Sequence, residues 1–218
     1  MYEDVFMDVT NYNDDARTRY ERYVAEHHIL TMQALEELLQ KLLNFYDRFV
    51  VLGLFEGLDG EGYTELFHVK LHQFHGDGTM TTFLGRTIQV SDRLVEAGKR
   101  AYTENAYRSY DAENSLKPML DSRFALRKFL DVDLSDDAKK TAHIEQLVQT
   151  IFAYTGYTGY TVHDLQVSGI LCFVHKAAKA LNMTQKYYLK SRAAEILAQY
   201  PAADLEEIKR EYIGYFDF

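Results

Sequence analysis

Apolar residues fall three or four apart along TMQALEELLQKLLNFYDRFV, at Leu35, Leu38, Leu39, Leu42, Leu43, Tyr46, Phe49 and Val50. The spacing predicts a core helix over 31–46, with Thr31 as its N-cap. The continuation RFVVLGLF is β-branched and aromatic, so 48–56 reads as either strand or helix. Upstream, DDARTRYERYVAEHH opens on acids and keeps Tyr20, Tyr23 and Val24 to one side, which predicts another helix. Val5, Met7 and Val9 alternate and suggest a short strand before it.

The period changes after EGLDGEGYT, a glycine- and acid-rich loop. In TELFHVKLHQF, Phe67, Val69 and Leu71 alternate with His68, Lys70 and His72. With TMTTFLGRTIQV beyond HGDG, this reads as a β-hairpin at about 64–90, turning at Gly76 and Gly78. Helical spacing returns in SDRLVEAGKRAYTENAYRSYDAENS, capped by Ser91. A short helix or turn carrying Phe124, Leu126, Phe129 and Leu130 comes next. A clean amphipathic helix follows in DDAKKTAHIEQLVQTIFAY, with Ser135 as its cap. After TGYTGYT come two helices around NM, a break at Pro201, and a last short helix. The fold class is therefore α+β, predominantly helical, with one β-hairpin and a helical C-terminal part. TGYTGYT is the candidate seam between a mixed 1–153 part with acidic N-terminal helices and a helical 154–218 part, with a single domain as the alternative.

At 218 residues the chain is long enough for a substantial core. One cysteine, Cys172, sits in apolar GILCFVH and reads as an inert buried thiol. The N-terminus is acidic and no apolar run reaches the length of a membrane span, so a soluble, cytoplasmic protein with no membrane partner is expected. The net charge of −9 is uneven: residues 1–65 carry −9 by themselves, and 135–200 carry +2.

Motifs that carry chemistry are sparse. GxSxG, SxxK, HExxH and paired CxxC are missing, as are the phosphate-binding glycine patterns, so no catalytic residue is assigned and no cofactor is expected. His68, His72 and His75 form a weak candidate metal or acid–base site, with Lys70 opposing a cation between them. Asp59 and Glu61 in GLDGEG could offer oxygens to Ca²⁺ or Mg²⁺.

The stretch HKAAKALNMTQKYYLKSR, 175–192, holds five Lys or Arg and no acid. Ala177 and Ala178 are small, Leu181 would face a shared core, Asn182 suits a positive-φ turn, and Thr184 can cap a second helix. These residues resemble a helix-turn-helix, which implies that Gln185, Lys186, Lys190 and Arg192 meet nucleic acid. Ser191 and the displaced Leu189 depart from that motif's apolar spacing.

The acidic half favours a different reading. Asp14, Asp15, Glu36, Glu37 and Asp47, with 17 tyrosines in the chain, suggest an acidic, Tyr-rich surface that docks a basic protein partner. The leading expectation is thus a non-enzymatic binding or regulatory protein, such as an inhibitor of a nuclease or other nucleic-acid-binding machine, with self-association left open. A DNA-binding regulator using 175–192 and an enzyme using the histidines at 68–75 are the alternatives.

Overall fold

A computed structural model describes residues 14–111, 113, 115–119 and 135–218. The alternating Val5, Met7 and Val9 and the segment holding Phe124, Leu126, Phe129 and Leu130 lie outside them. The described residues form a predominantly helical α+β fold with two short antiparallel two-stranded sheets. Among them, no helix is long and apolar enough to cross a membrane.

The chain opens with α1 (Asp14–Glu26), α2 (Met32–Lys41) and α3 (Phe45–Phe55). Thr31 caps α2 as expected, its Oγ1 accepting from Ala34 N at 3.1 Å. The long helix expected over 31–46 instead breaks at Leu42, whose ψ is 133°. The apolar stripe runs on through the break, which is why spacing alone does not reveal it. The Asn44 side chain makes no capping bond to α3. The Glu104 carboxylate, from a distant segment, accepts the Phe45 and Tyr46 amides at 2.9 Å each and so satisfies two of the helix's orphan donors. Only Phe45 and Arg48 of α3 reach the surface in part, so this helix is the central element of the fold.

Residues 64–73 do not form a strand. Thr64–Phe67 is a single turn of helix, α4, and Leu71–Gln73 is a 3₁₀ turn closed by the Gln73 Oε1 bond to Lys70 N at 2.6 Å. Local capping competes successfully here with a pattern of only three alternating pairs. The hairpin is shorter, β1 (Thr79–Thr81) with β2 (Thr87–Gln89), Met80 facing Ile88. It reverses at 82–86, where Gly85 has a φ of +83°. The expected turn at HGDG also forms, with Gly78 at a φ of +79° and His75 N donating to Thr79 O at 2.8 Å, but it closes only a single antiparallel bridge, Phe74 to Met80.

Helix α5 (Asp92–Thr103), capped by Ser91, ends earlier than its sequence suggests, because Glu104 is drawn to the start of α3. The chain then forms β3 (Ala106–Arg108), paired with β4 (Leu116–Pro118). Next come α6 (Asp137–Thr155), α7 (Val162–Ala180), α8 (Gln185–Ser191), α9 (Ala193–Gln199) and α10 (Leu205–Glu211). Asp136, not Ser135, caps α6, and Thr161 and Asp164 form a reciprocal capping box at the start of α7.

Helix α3 packs against α5 on one side and α7 on another. The crossing with α7 is close: a Cβ on Gly169 would lie 1.9 Å from the Phe55 carbonyl oxygen. One apolar cluster gathers around α3 and draws residues from Leu30 to Cys172. A second gathers Ile29 with residues of α7 through Tyr215.

Candidate functional site

A cavity of about 190 Å³ opens where the C-terminal end of α3 meets the start of α5 and the middle of α7. Glu56, the residue that ends α3, stands at it. Its carboxylate accepts from Ser91 Oγ at 2.5 Å and Ser91 N at 2.7 Å. Ser91 Oγ in turn accepts from Leu94 N at 3.1 Å, so the cap of α5 also fixes the carboxylate. Lys176 and Arg93 bring positive charge to the same wall, and Lys176 hydrogen-bonds the Cys172 thiol.

Burial pushes the Glu56 carboxyl up to about 7, against the opposing pull of the Ser91 bonds and then of the Lys176 and Arg93 charges. Burial likewise raises the Cys172 thiol, in accord with an inert sulfur. Tyr200 closes the deep side, its hydroxyl donating to the Phe55 carbonyl at 2.9 Å; burial holds it well above an ordinary phenol.

Long-range hydrogen bonds brace this wall. Gln199 Nε2 donates to the carbonyls of Glu56 (2.6 Å) and Gln89 (2.9 Å), while its Oε1 accepts from Gln89 N at 2.9 Å. Gly57 has a φ of +94°, and a Cβ there would meet the Gln199 carbonyl at 2.3 Å. Arg86, from the hairpin turn, donates to the carbonyls of Gly57, Ala198 and Gln199 and forms an ion pair with fully buried Glu65. The arrangement holds one carboxyl near neutrality beside two cations at an accessible cavity, which suits proton transfer to or from an anionic small molecule.

The residues singled out from sequence lie elsewhere. His68 Nδ1 bonds Thr64 O at 2.8 Å and its ring stacks on Phe83, while His75 Nε2 bonds Thr81 Oγ1 at 2.9 Å. The strand that would have aligned His68 with His72 does not form. Among the described residues no three His, Cys, Asp or Glu side chains are placed to hold a metal, Asp59 and Glu61 included.

The helical hairpin at 175–192 does form. Asn182 has a φ of 52° and Thr184 caps α8, accepting from Tyr187 N at 3.3 Å. Leu181 is exposed and not in a shared core, and α8 runs for seven residues only. Gln185 bonds His175 at 3.1 Å, Lys186 is paired with Asp217, Arg192 donates to Glu195 at 2.8 Å, and Lys190 is exposed. Three of the four residues thus have side-chain partners within the fold.

The acidic surface is also redistributed. Asp14 begins α1 and Asp15 is exposed on it. Glu36 pairs with Arg93 at 2.8 Å, and Glu37 accepts from Gln33 at 3.0 Å. Asp47 is not on the surface: it is fully buried, accepting from Asn44 and from the Tyr110 hydroxyl at 2.6 Å each. Tyr46, Tyr107, Tyr188, Tyr200, Tyr212 and Tyr215 are core residues, so much of the tyrosine surplus fills the interior.

Sequence reasoning missed Glu56 and Lys176. Glu56 follows an apolar run, the one local sign that it closes a buried helix; its partners lie 35 to 143 residues away.

The model of the family described as MrpR, C-terminal catalytic domain, matches residues 29–215. No curated protein matches the chain. The match to a catalytic family overturns the expectation of a non-enzymatic binding or regulatory protein, and with it the inhibitor and DNA-binding regulator readings. Spanning all but the first 28 and last three residues, it shows that the chain belongs to the MrpR C-terminal catalytic domain family.

Proposed function

We propose that the chain acts as a catalytic domain and that Glu56 is its acid–base group. The observation that carries this reading is the Glu56 carboxyl held near neutrality, at about 7, on the wall of a cavity with Lys176 and Arg93 beside it. A group that titrates near working pH can both take up and release a proton at useful rates. Ser91 positions the carboxylate, and the two cations suit a substrate with negative charge. Cys172 and Tyr200, both held protonated by burial, line the site without supplying a nucleophile. The alternative of a histidine-based enzyme has less support, since His68 and His75 are engaged by Thr64 and Thr81.

Hydrolysis of p-nitrophenyl acetate tests the reading, because it needs only a base and a water. The rate is expected to rise with pH through an inflection near 7. Glu56→Gln is expected to lower it by roughly 10²-fold or more. Carboxyl NMR of ¹³C-labelled glutamate reports the same titration directly. Equal rates in wild type and Glu56→Gln, or a Glu56 that titrates in the ordinary carboxylate range, would overturn the proposal.

A further inference from the structure

A second and larger cavity, about 490 Å³, lies between α2, the first half of α3 and α5. Three guanidinium groups line it, from Arg48, Arg93 and Arg100, against two carboxylates, Glu36 and Glu96. Glu36 is paired with Arg93 at 2.8 Å, and Glu96 with Arg100 at 2.7 Å. Among the described residues Arg48 has no such pair. Glu104 acts on it through charge, but that carboxylate is already bonded to the Phe45 and Tyr46 amides.

Arg48 Nη2 donates to the Leu42 carbonyl at 3.1 Å, while its Nε–H is buried with no acceptor among the described residues. That nitrogen lies too deep for a ligand to touch, so an oxyanion in the cavity would meet the outer part of the guanidinium, through a charge-assisted bond. The cations are also held in place. The Phe45 ring lies 4.8 Å from the Arg48 guanidinium and 4.6 Å from that of Arg100. Stacking fixes these side chains before a ligand arrives, so less freedom is lost on binding. The cavity is far larger than a bare anion requires, and its floor is apolar. Its volume falls in the range of small-molecule sites.

We infer that this cavity binds a small organic oxyanion, with the anionic head on Arg48 and Arg100 and an apolar body over the floor beside Phe45. The inference does not rest on the role of Glu56. Arg93 lines both cavities, so a ligand seated here lies next to the Glu56 wall.

Isothermal titration of the whole chain at low salt tests this, with phenyl phosphate, benzoate and inorganic phosphate as separate probes. Saturable binding of phenyl phosphate or benzoate is expected, and whichever binds more tightly identifies the head group. Arg48→Lys keeps the charge but loses the planar fork and its stacking on Phe45, and is expected to weaken binding roughly tenfold. Arg100→Lys, at a more exposed site, is expected to weaken it severalfold and covers the case in which Arg48→Lys fails to fold. Lys190→Gln, on α8, is expected to leave affinity unchanged. No saturation by either organic probe up to about 20 mM would overturn the inference. So would unchanged affinity in the two arginine variants, or inorganic phosphate binding as tightly as phenyl phosphate.

Discussion

Replacing Gly169 by alanine tests the central packing of the fold. The new Cβ would sit 1.9 Å from the Phe55 carbonyl oxygen and 2.8 Å from its carbon. Both atoms are backbone, so no side chain can swing aside. Restoring an ordinary contact of about 3.5 Å requires α3 and α7 to part by about 1.5 Å. The separation strains a crossing between two tightly packed helices, and overpacking of this kind costs about 1–3 kcal/mol. It also disturbs the buried bond from Tyr200 Oη to that same carbonyl, 2.9 Å long and worth about 1 kcal/mol. Alanine's better helix propensity returns about 1 kcal/mol.

The net is a loss of about 2 kcal/mol, which lowers the melting temperature of a chain this size by roughly 4–8 °C. Thermal unfolding followed by circular dichroism reads it. Gly98→Ala is the internal comparison, since its Cβ would meet only the tip of the Phe74 ring, at 3.0 Å, and Phe49 at 3.2 Å. Gly76→Ala meets nothing within 4 Å and should be neutral or slightly stabilising. A Gly169→Ala protein that melts within about 1 °C of wild type would show that the crossing has room for a methyl group and would refute the packing argument.

Other outcomes follow from single contacts. Arg86→Met strands the fully buried Glu65 carboxylate and is expected to cost about 3–5 kcal/mol by urea denaturation, whereas a loss under about 1 kcal/mol would contradict the ion pair's burial. Thr161→Ala removes the capping box of α7, with an expected loss of about 1 kcal/mol on the same assay; no change would deny the cap a role. Burial raises the Asp47 carboxyl from 3.8 to about 7, so between those values the folded state binds a proton that the unfolded chain lacks. Its contribution is therefore complete below pH 4 and is lost as pH rises through about 7. Asp47→Asn should flatten the fall in stability between pH 4 and pH 7, and an unchanged slope would assign that fall to other groups.

What the sequence disclosed was the part written in nearby residues. The α2 stripe with Thr31, the positive φ at Asn182 and the cap at Thr184 all depend on neighbours within a few positions. The break at Leu42 was hidden because the apolar phase continues through it. The early end of α5 was hidden because its cause is the attraction of Glu104 to amides 58 and 59 residues away. Asp47 reads as a surface acid by charge alone, although Tyr46, Phe49 and Val50 around it mark a buried face. Glu56 could not be found by motif, since Ser91, Lys176 and Gln199 meet it only in the folded chain.

Arg86 has a consequence for the order in which the chain acquires structure. Its guanidinium is satisfied by carbonyls at Ala198 and Gln199, more than 110 residues downstream, as well as by Gly57 and Glu65 close at hand. Until the last tenth of these 218 residues arrives, the hairpin presents a cation with part of its acceptor set missing, and Gln89 lacks the amide that pairs with it. The bonds that tie the hairpin and the end of α3 to the end of α9 therefore form only when all three segments meet. A protein shortened before Ala198 is therefore expected to loosen the wall at Glu56 as well as the C-terminal helices.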